Sequence, residues 1–326
     1  MKRIRQFLAI TELSARESIR QTTTLLLLLT MVAGCVLTPL AFMHDFGEDG
    51  QMARNTSLAL HFLLGMFVAV TAAAGSLARE MQSGTAATVL SKPVGRATVL
   101  LAKFSGVAVM VVMFSIIAAV CTLLSHRIAE RFFDQSDLFG YVKDLYTAAV
   151  LVISVIMAML LAGFINYRTR RPFASWAFML ILAASLTALL LAGFYDQIGR
   201  FRPYNMHVAP AILGVSLLLT MALLIITAIA ISISTVLPPT TTLAVCSVLF
   251  VAGLGSDHFF GGSTAAWSRI AYAIIPNWQH FWLADALNDG GSIPLRYLFY
   301  AAVYTVCYST AVLAAGIWAF RKVDVQ

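Results

Sequence analysis

REMQSGTAATVLSKPVGR, residues 79–96, is a polar island between two long apolar runs, Thr56–Leu77 before it and Val99–Ser125 after it. Arg79 to Leu90 is built of good helix formers, and its one internal glycine, Gly84, is followed by β-branched Thr85. Lys92-Pro93 then stops that helix, because proline disfavours helical geometry in the residue before it. The order predicts a short cytoplasmic helix, a hard stop, a turn assisted by Gly95 and a return into the membrane.

The composition around this island requires lipid as the solvent. Hydrophobic residues make up 60% of 326, charged residues 11%, and mean hydropathy is +0.85. Soluble domains sit near half apolar and a quarter charged. A formal net charge of +7 invites a nucleic-acid partner, yet the basic residues are spread through short loops with no aromatic-interleaved patch. Membrane topology explains the charge, and no nucleic-acid partner is expected. The four cysteines, Cys35, Cys121, Cys246 and Cys307, all fall inside apolar runs without a CxxC pair, so they read as small packing residues.

Residues Lys2 to Gln21 place Ile4, Phe7, Leu8, Thr11, Ala15 and Ile19 at the spacing of one helix face, with Lys2, Arg3, Arg5, Arg16 and Arg20 elsewhere. That pattern predicts an interfacial amphipathic helix with its basic side chains towards anionic headgroups, against the plainer alternative of a frayed tail. Thr22–Met43 is too long for the apolar region of a signal peptide and has no small-residue cleavage site, so it is expected to stay as an anchor.

Eight runs have the length or composition to cross a hydrocarbon core of roughly 30 Å, about 20 helical residues. They are Thr22–Met43, Thr56–Leu77, Val99–Ser125, Leu145–Ile165, Phe173–Tyr195, Val208–Leu237, Thr240–Gly255 and Tyr297–Phe320, the seventh being the shortest. Pro238-Pro239 separates the sixth from the seventh. With the N-terminus inside, inner segments carry thirteen Lys and Arg and the longer outer loops eight, with the cluster of Arg168, Arg170 and Arg171 the strongest single vote. The positive-inside rule therefore places both termini in the cytoplasm, with the chain in the cell (inner) membrane. Residues 1–326 read as one transmembrane domain, all-α and polytopic.

Outer loops are expected at 44–55, which carries Asp45, Glu48 and Asp49, and at His126–Asp144, read as a short surface helix. The outer segment 256–296 spaces Trp267, Tyr272, Trp278, Phe281 and Trp282 around Pro276, which predicts two interfacial or re-entrant helices.

Absences narrow the chemistry. All fifteen Asp and Glu lie outside the apolar cores, although ion-coupled carriers keep carboxylates at membrane depth. Lys103, one turn inside the third run, is expected to snorkel to the headgroups. No GxxxxGK[ST] occurs, so the sequence holds no phosphate-cradling loop of that kind, and no HExxH marks a metalloprotease. Gly253-Leu254-Gly255-Ser256-Asp257 only loosely resembles an intramembrane aspartyl site, since Ser256 intrudes and no second intramembrane Asp exists. The six histidines show no ligand spacing, and His61 reads as a packing or pore-lining residue.

From Glu80 onward, Gly84-Thr85, Leu90-Ser91-Lys92-Pro93-Val94, Arg96 and Lys103 together resemble the permease subunits of ABC-2 type ABC exporters. Ile231–Pro238, Ile275-Pro276-Asn277 with Phe281 and Trp282, and the closing Phe320-Arg321-Lys322 are similar to further family features. The resemblance implies a dimer of permeases, homo- or heterodimeric, joined to two separate ATPase subunits that bind the ATP and magnesium; no cofactor is expected here. It implies that residues 79–97 form the coupling helix, with Glu80, Gly84, Thr85, Leu90, Lys92, Pro93 and Arg96 at the ATPase interface. For Lys92 and Arg96 the plainer alternative is capping and positive-inside anchoring. The family's common pattern has six spans, so Leu145–Ile165 and Phe173–Tyr195 stand out as an extra pair. Two other function classes remain: an ATP-independent facilitator or assembly scaffold, and an intramembrane hydrolase centred on Asp257.

Overall fold

The computed structural model describes residues 2–41, 50–82, 95–129, 131–135, 138–196, 199–205, 209–260, 266–287 and 291–322. In chain order the long elements are α1 (Lys2–Ile19), α2 (Thr22–Ala41), α3 (Gln51–Gln82), α4 (Arg96–Ile128), α5 (Leu145–Thr169), α6 (Phe173–Ala192) and α7 (Ala211–Ile233). They continue with α8 (Pro239–Leu254), α9 (Ser256–Phe260), α10 (Ala266–Ile274), two 3₁₀ turns at Trp278–His280 and Asp285–Leu287, and α11 (Leu295–Lys322). Among the described residues, α2 to α7 and α11 are the seven helices long and apolar enough to span a membrane. The expectation of an all-α polytopic membrane protein holds.

Four elements differ from expectation. α3 runs without a break to Gln82, because nothing between Leu77 and Gln82 interrupts it; residues 79–82 are its last turn rather than the start of a separate helix. The short outer helix expected at His126–Asp144 is absent. Instead α4 ends at Ile128, and β1 (Arg131–Gln135) pairs antiparallel with β2 (Leu138–Val142), Phe132 opposite Tyr141. Phe, Tyr and Val favour the pleated chain more strongly than the scattered charges favour a helix. α8, the seventh apolar run, has 16 residues, about 24 Å at 1.5 Å per residue, which falls short of a ~30 Å core. The segment 256–296 does hold two short helices, α9 and α10, but both precede Pro276, and two 3₁₀ turns follow it.

The described chain gathers into two compact units, Met1–Ser18 with Met66–Val111 and Leu217–Gln326, and Ile19–Gly65 with Val112–Ser216. The first has a core of small and branched residues, such as Val68, Ala72, Leu100, Ala102, Met110, Leu219, Ala222 and Ile226. Its helices approach closely: a Cβ on Gly316 of α11 would lie 2.5 Å from Ser232 Oγ of α7, whose hydroxyl donates to the Val312 carbonyl at 3.2 Å. Small residues at such crossings are the usual means of packing helices in lipid.

The second unit buries Leu28, Met31, Leu58, Phe114, Leu151 and Phe178. It also encloses an ion pair, Arg127 Nε donating to Asp144 Oδ2 at 3.0 Å, with both side chains almost without exposure. Asp144 caps α5, accepting from the Thr147 amide at 2.8 Å and the Thr147 hydroxyl at 2.6 Å, while Arg127 also donates to the Tyr195 carbonyl. A charge at this depth is tolerated because each ion satisfies the other and the backbone around it. His61 packs: it has no exposed surface, and its ring lies 6.3 Å from that of Phe114. Cys35, Cys121 and Cys246 are buried as expected, whereas Cys307 sits on the exposed side of α11.

Candidate functional site

The site predicted by the 79–96 island is flanked by the C-terminal turn of α3 and the first turn of α4. Glu80 lies in that last turn of α3; its side chain, and all of Gly84, Thr85, Leu90, Lys92 and Pro93, fall outside the described residues. The expected coupling helix over 79–97 is therefore described only at its two ends, and Arg96 alone of the seven candidates has a described side chain.

Arg96 opens α4 and reaches the far end of the chain. Its Nη1 donates to the carbonyls of Phe320 at 2.7 Å and Arg321 at 3.1 Å, and its guanidinium lies 5.6 Å over the Phe320 ring. The last carbonyls of a helix have no partner within it and carry the negative end of its dipole, so a guanidinium there is worth about 0.3–1 kcal/mol. Arg96 thus ties the start of α4 to the end of α11, which matches the capping alternative.

Two turns further along α4, Lys103 is 2% exposed and its ammonium donates to the Ser76 carbonyl of α3 at 2.8 Å. The expectation that it snorkels to headgroups is wrong. The side chain is enclosed by neighbouring elements before it reaches water, and a hydrogen bond to a charged donor, worth roughly 1.5–3 kcal/mol, offsets part of its desolvation.

α1 completes the enclosure. A Cβ on Gly106 would lie 2.5 Å from the Thr11 carbonyl oxygen and 2.6 Å from Ser14 Cβ, so α1 crosses α4 backbone against backbone. Ser14 Oγ donates to the Lys103 carbonyl at 3.4 Å, and Ser18 Oγ to the Ser14 carbonyl at 2.9 Å. The helix does have the amphipathic character expected, but Thr11, Ser14 and Ser18 pack on the protein while Ile4 and Leu8 stay exposed. The residues that flank the island on both sides are thus joined to α1 and α11 by Ser14, Ser76, Arg96, Lys103 and Gly106.

Asp257, the residue of the hydrolase alternative, belongs to a different cluster. Its Oδ1 accepts from the Tyr272 hydroxyl at 2.7 Å and from Asn277 Nδ2 at 2.6 Å, and Asn277 Oδ1 accepts from the Gln279 amide at 2.9 Å. The carboxylate that accepts its proton pushes the Tyr272 phenol above the ordinary tyrosine value. Gly253 admits this fold: a Cβ there would lie 2.3 Å from Trp278 Nε1 and 2.4 Å from the Pro276 carbonyl. Asp257 therefore pins the outer segment. Among the described residues, no group of three or more His, Cys, Asp or Glu is placed to hold a metal ion.

No curated protein and no solved structure is similar enough to this chain to count as a match. The family described as ABC-2 family transporter protein does match, over residues 8–201, well over half of the 326 residues. That match includes the 79–96 island, α1 from Leu8 onward and the Lys103 node. With seven spanning-length apolar helices and a family match across most of them, the chain is a multi-pass membrane protein that belongs to the ABC-2 family of transporters.

Proposed function

We propose that this chain is the membrane-spanning permease subunit of an ATP-driven ABC exporter, powered by separate ATPase subunits and paired with a second permease. Both termini face the cytoplasm, the chain sits in the cell (inner) membrane, and ATP and magnesium are held by the partner. Residues 79–97 are the element that the ATPase grips, with Glu80, Gly84, Thr85, Leu90, Lys92 and Pro93 as its contacts. Arg96 takes part by anchoring the element's exit to α11.

The observation that carries this reading is the Lys103 node. The two ends of the 83–94 segment are bonded to each other through Lys103 and Ser76, to α1 through Gly106 and Ser14, and to α11 through Arg96. A push delivered to that segment therefore reaches four helices at once, as a mechanical coupling between a soluble motor and a membrane bundle requires.

The test is co-purification of a tagged chain under gentle conditions, followed by ATPase assay of the complex. Glu80→Ala and Gly84→Trp are expected to lower permease-stimulated ATP hydrolysis at least tenfold while the chain remains folded. If both variants leave hydrolysis and transport unchanged, the ATP-independent facilitator or scaffold takes its place.

A further inference from the structure

The hairpin of α5 and α6 carries a feature independent of the coupling segment. An open apolar groove of about 530 Å³ runs along it, lined on α5 by Met157, Leu161 and Phe164 and on α6 by Leu180, Ala184 and Thr187, among others. Met157 and Phe164 are 59% and 62% exposed, so the wall is open to the surrounding medium. The Ser154 and Thr187 hydroxyls that edge it donate to the carbonyls of Leu151 and Ala184, which leaves the wall without a free donor.

Both helical faces of the groove end in cations or an aromatic at the same turn. On α5 the series 157, 161, 164 continues at i+4 to Arg168. On α6 the series 187, 184, 180 continues at i−4 to Trp176, over whose ring the Arg171 guanidinium lies at 5.9 Å. Arg168, Arg170 and Arg171 are exposed, and among the described residues none is within ion-pair distance of a carboxylate. Their turn is held in shape. Arg170 adopts the left-handed conformation at φ 57° with its amide donating to the Asn166 carbonyl, and Asn166 Nδ2 donates to the Arg171 carbonyl.

Length selects the occupant. From Ser154 to Phe164 the groove follows α5 for ten residue rises, about 15 Å, which is half of a ~30 Å hydrocarbon core and so the reach of one leaflet's acyl chain. The geometry points to a binding site for an anionic phospholipid, its acyl chain along Met157, Leu161 and Phe164 and its phosphate on Arg168 and Arg171 beside Trp176. Basic groups at the headgroup level between helices favour anionic lipids by electrostatics that zwitterionic lipids do not supply. The site gives the extra helix pair a role as a lipid-anchored flank of the bundle, whether or not residues 79–97 bind an ATPase.

The full chain in phosphatidylcholine nanodiscs doped with phosphatidylglycerol, released into detergent and weighed by native mass spectrometry, reads this directly. The wild-type chain is expected to retain phosphatidylglycerol above its supplied ratio. Arg168→Gln with Arg171→Gln should cut that enrichment about thirtyfold, at about one kcal/mol per arginine. Ala184→Phe, which fills the groove and leaves the arginines, should lower retention while circular dichroism and gel-filtration profile stay those of the wild type. Excess inorganic phosphate should leave the bound lipid in place. Retention at the supplied ratio, an unchanged double variant, an unchanged Ala184→Phe, or displacement by phosphate would each overturn the assignment.

Discussion

Arg127 and Lys103 are the most deeply buried cations among the described residues, and they are held differently. Arg127 meets a carboxylate, Asp144, which in turn caps α5, so both charges and a helix terminus are satisfied by one another. Lys103 donates to a main-chain carbonyl, that of Ser76, and is roofed by α1 lying on Gly106. The first arrangement is a staple: its energy is local and directional, and any displacement forfeits both partners. The second joins the backbones of α3 and α4 through a long flexible stem whose ammonium donates to a helix carbonyl. The difference teaches where rigidity is spent and where motion is expected: Arg127 fixes the C-terminal end of α4, and Lys103 links the ends of the segment proposed to receive an external push.

The largest expected effect breaks the staple. Asp144→Ala strands the Arg127 charge and should cost about 3–5 kcal/mol, seen as a large fall in folded yield and melting temperature in detergent. Arg127→Met combined with Asp144→Leu should recover most of that loss, because the unpaired charge is removed with its partner. A mild single variant would mean that the pair is not a staple.

Next comes the roof over Lys103. Gly106→Leu places side-chain atoms where the α1 backbone runs, and overpacking of this kind costs roughly 1–3 kcal/mol. Cysteines placed on α1 and α4 should lose their cross-link, and permease-stimulated ATP hydrolysis should fall with it. A retained cross-link would show that α1 does not depend on this glycine.

Lys103→Met sharpens the comparison, because it should act on function more than on fold. Removing the buried charge together with its need for a partner leaves stability within about 1.5 kcal/mol of wild type, while ATP-coupled transport falls at least tenfold. Equal losses in melting temperature and transport would make Lys103 a second staple.

The smallest effect belongs to Tyr272, whose pKa is raised by its hydrogen bond to Asp257. A tyrosine with a raised folded-state pKa contributes stability that is present below its ordinary value near 10 and lost as pH climbs through the higher folded value. Tyr272→Phe should therefore lower stability slightly at neutral pH, with the difference from wild type shrinking as the alkaline limb flattens, as pH-dependent thermal melts would show.

The sequence made some of this legible and left some of it dark for physical reasons. Apolar runs of spanning length state their own burial, and α2 to α7 and α11 were readable from them. The hairpin at Arg131–Val142 was not, because its pairing joins residues whose local pattern also suits a charged helix. Arg96 was recognised as a candidate, but its partner stands 224 residues away at Phe320, and no local pattern encodes that contact. Lys103 looked like a snorkelling residue because a single run shows depth and not enclosure. The small-residue series Thr11, Ser14, Ala15, Ser18 on α1 was the one available hint of a close crossing, and it did not name Gly106 as the other side.

The most direct measurement places a single cysteine in the proposed handle, Ala87→Cys, in a chain whose native cysteines are replaced, and labels it with a membrane-impermeant maleimide. The account predicts no labelling in intact cells, labelling in inverted vesicles, and protection once the ATPase subunits are bound. Labelling from the outside of intact cells, or equal labelling with and without the ATPase, would contradict it.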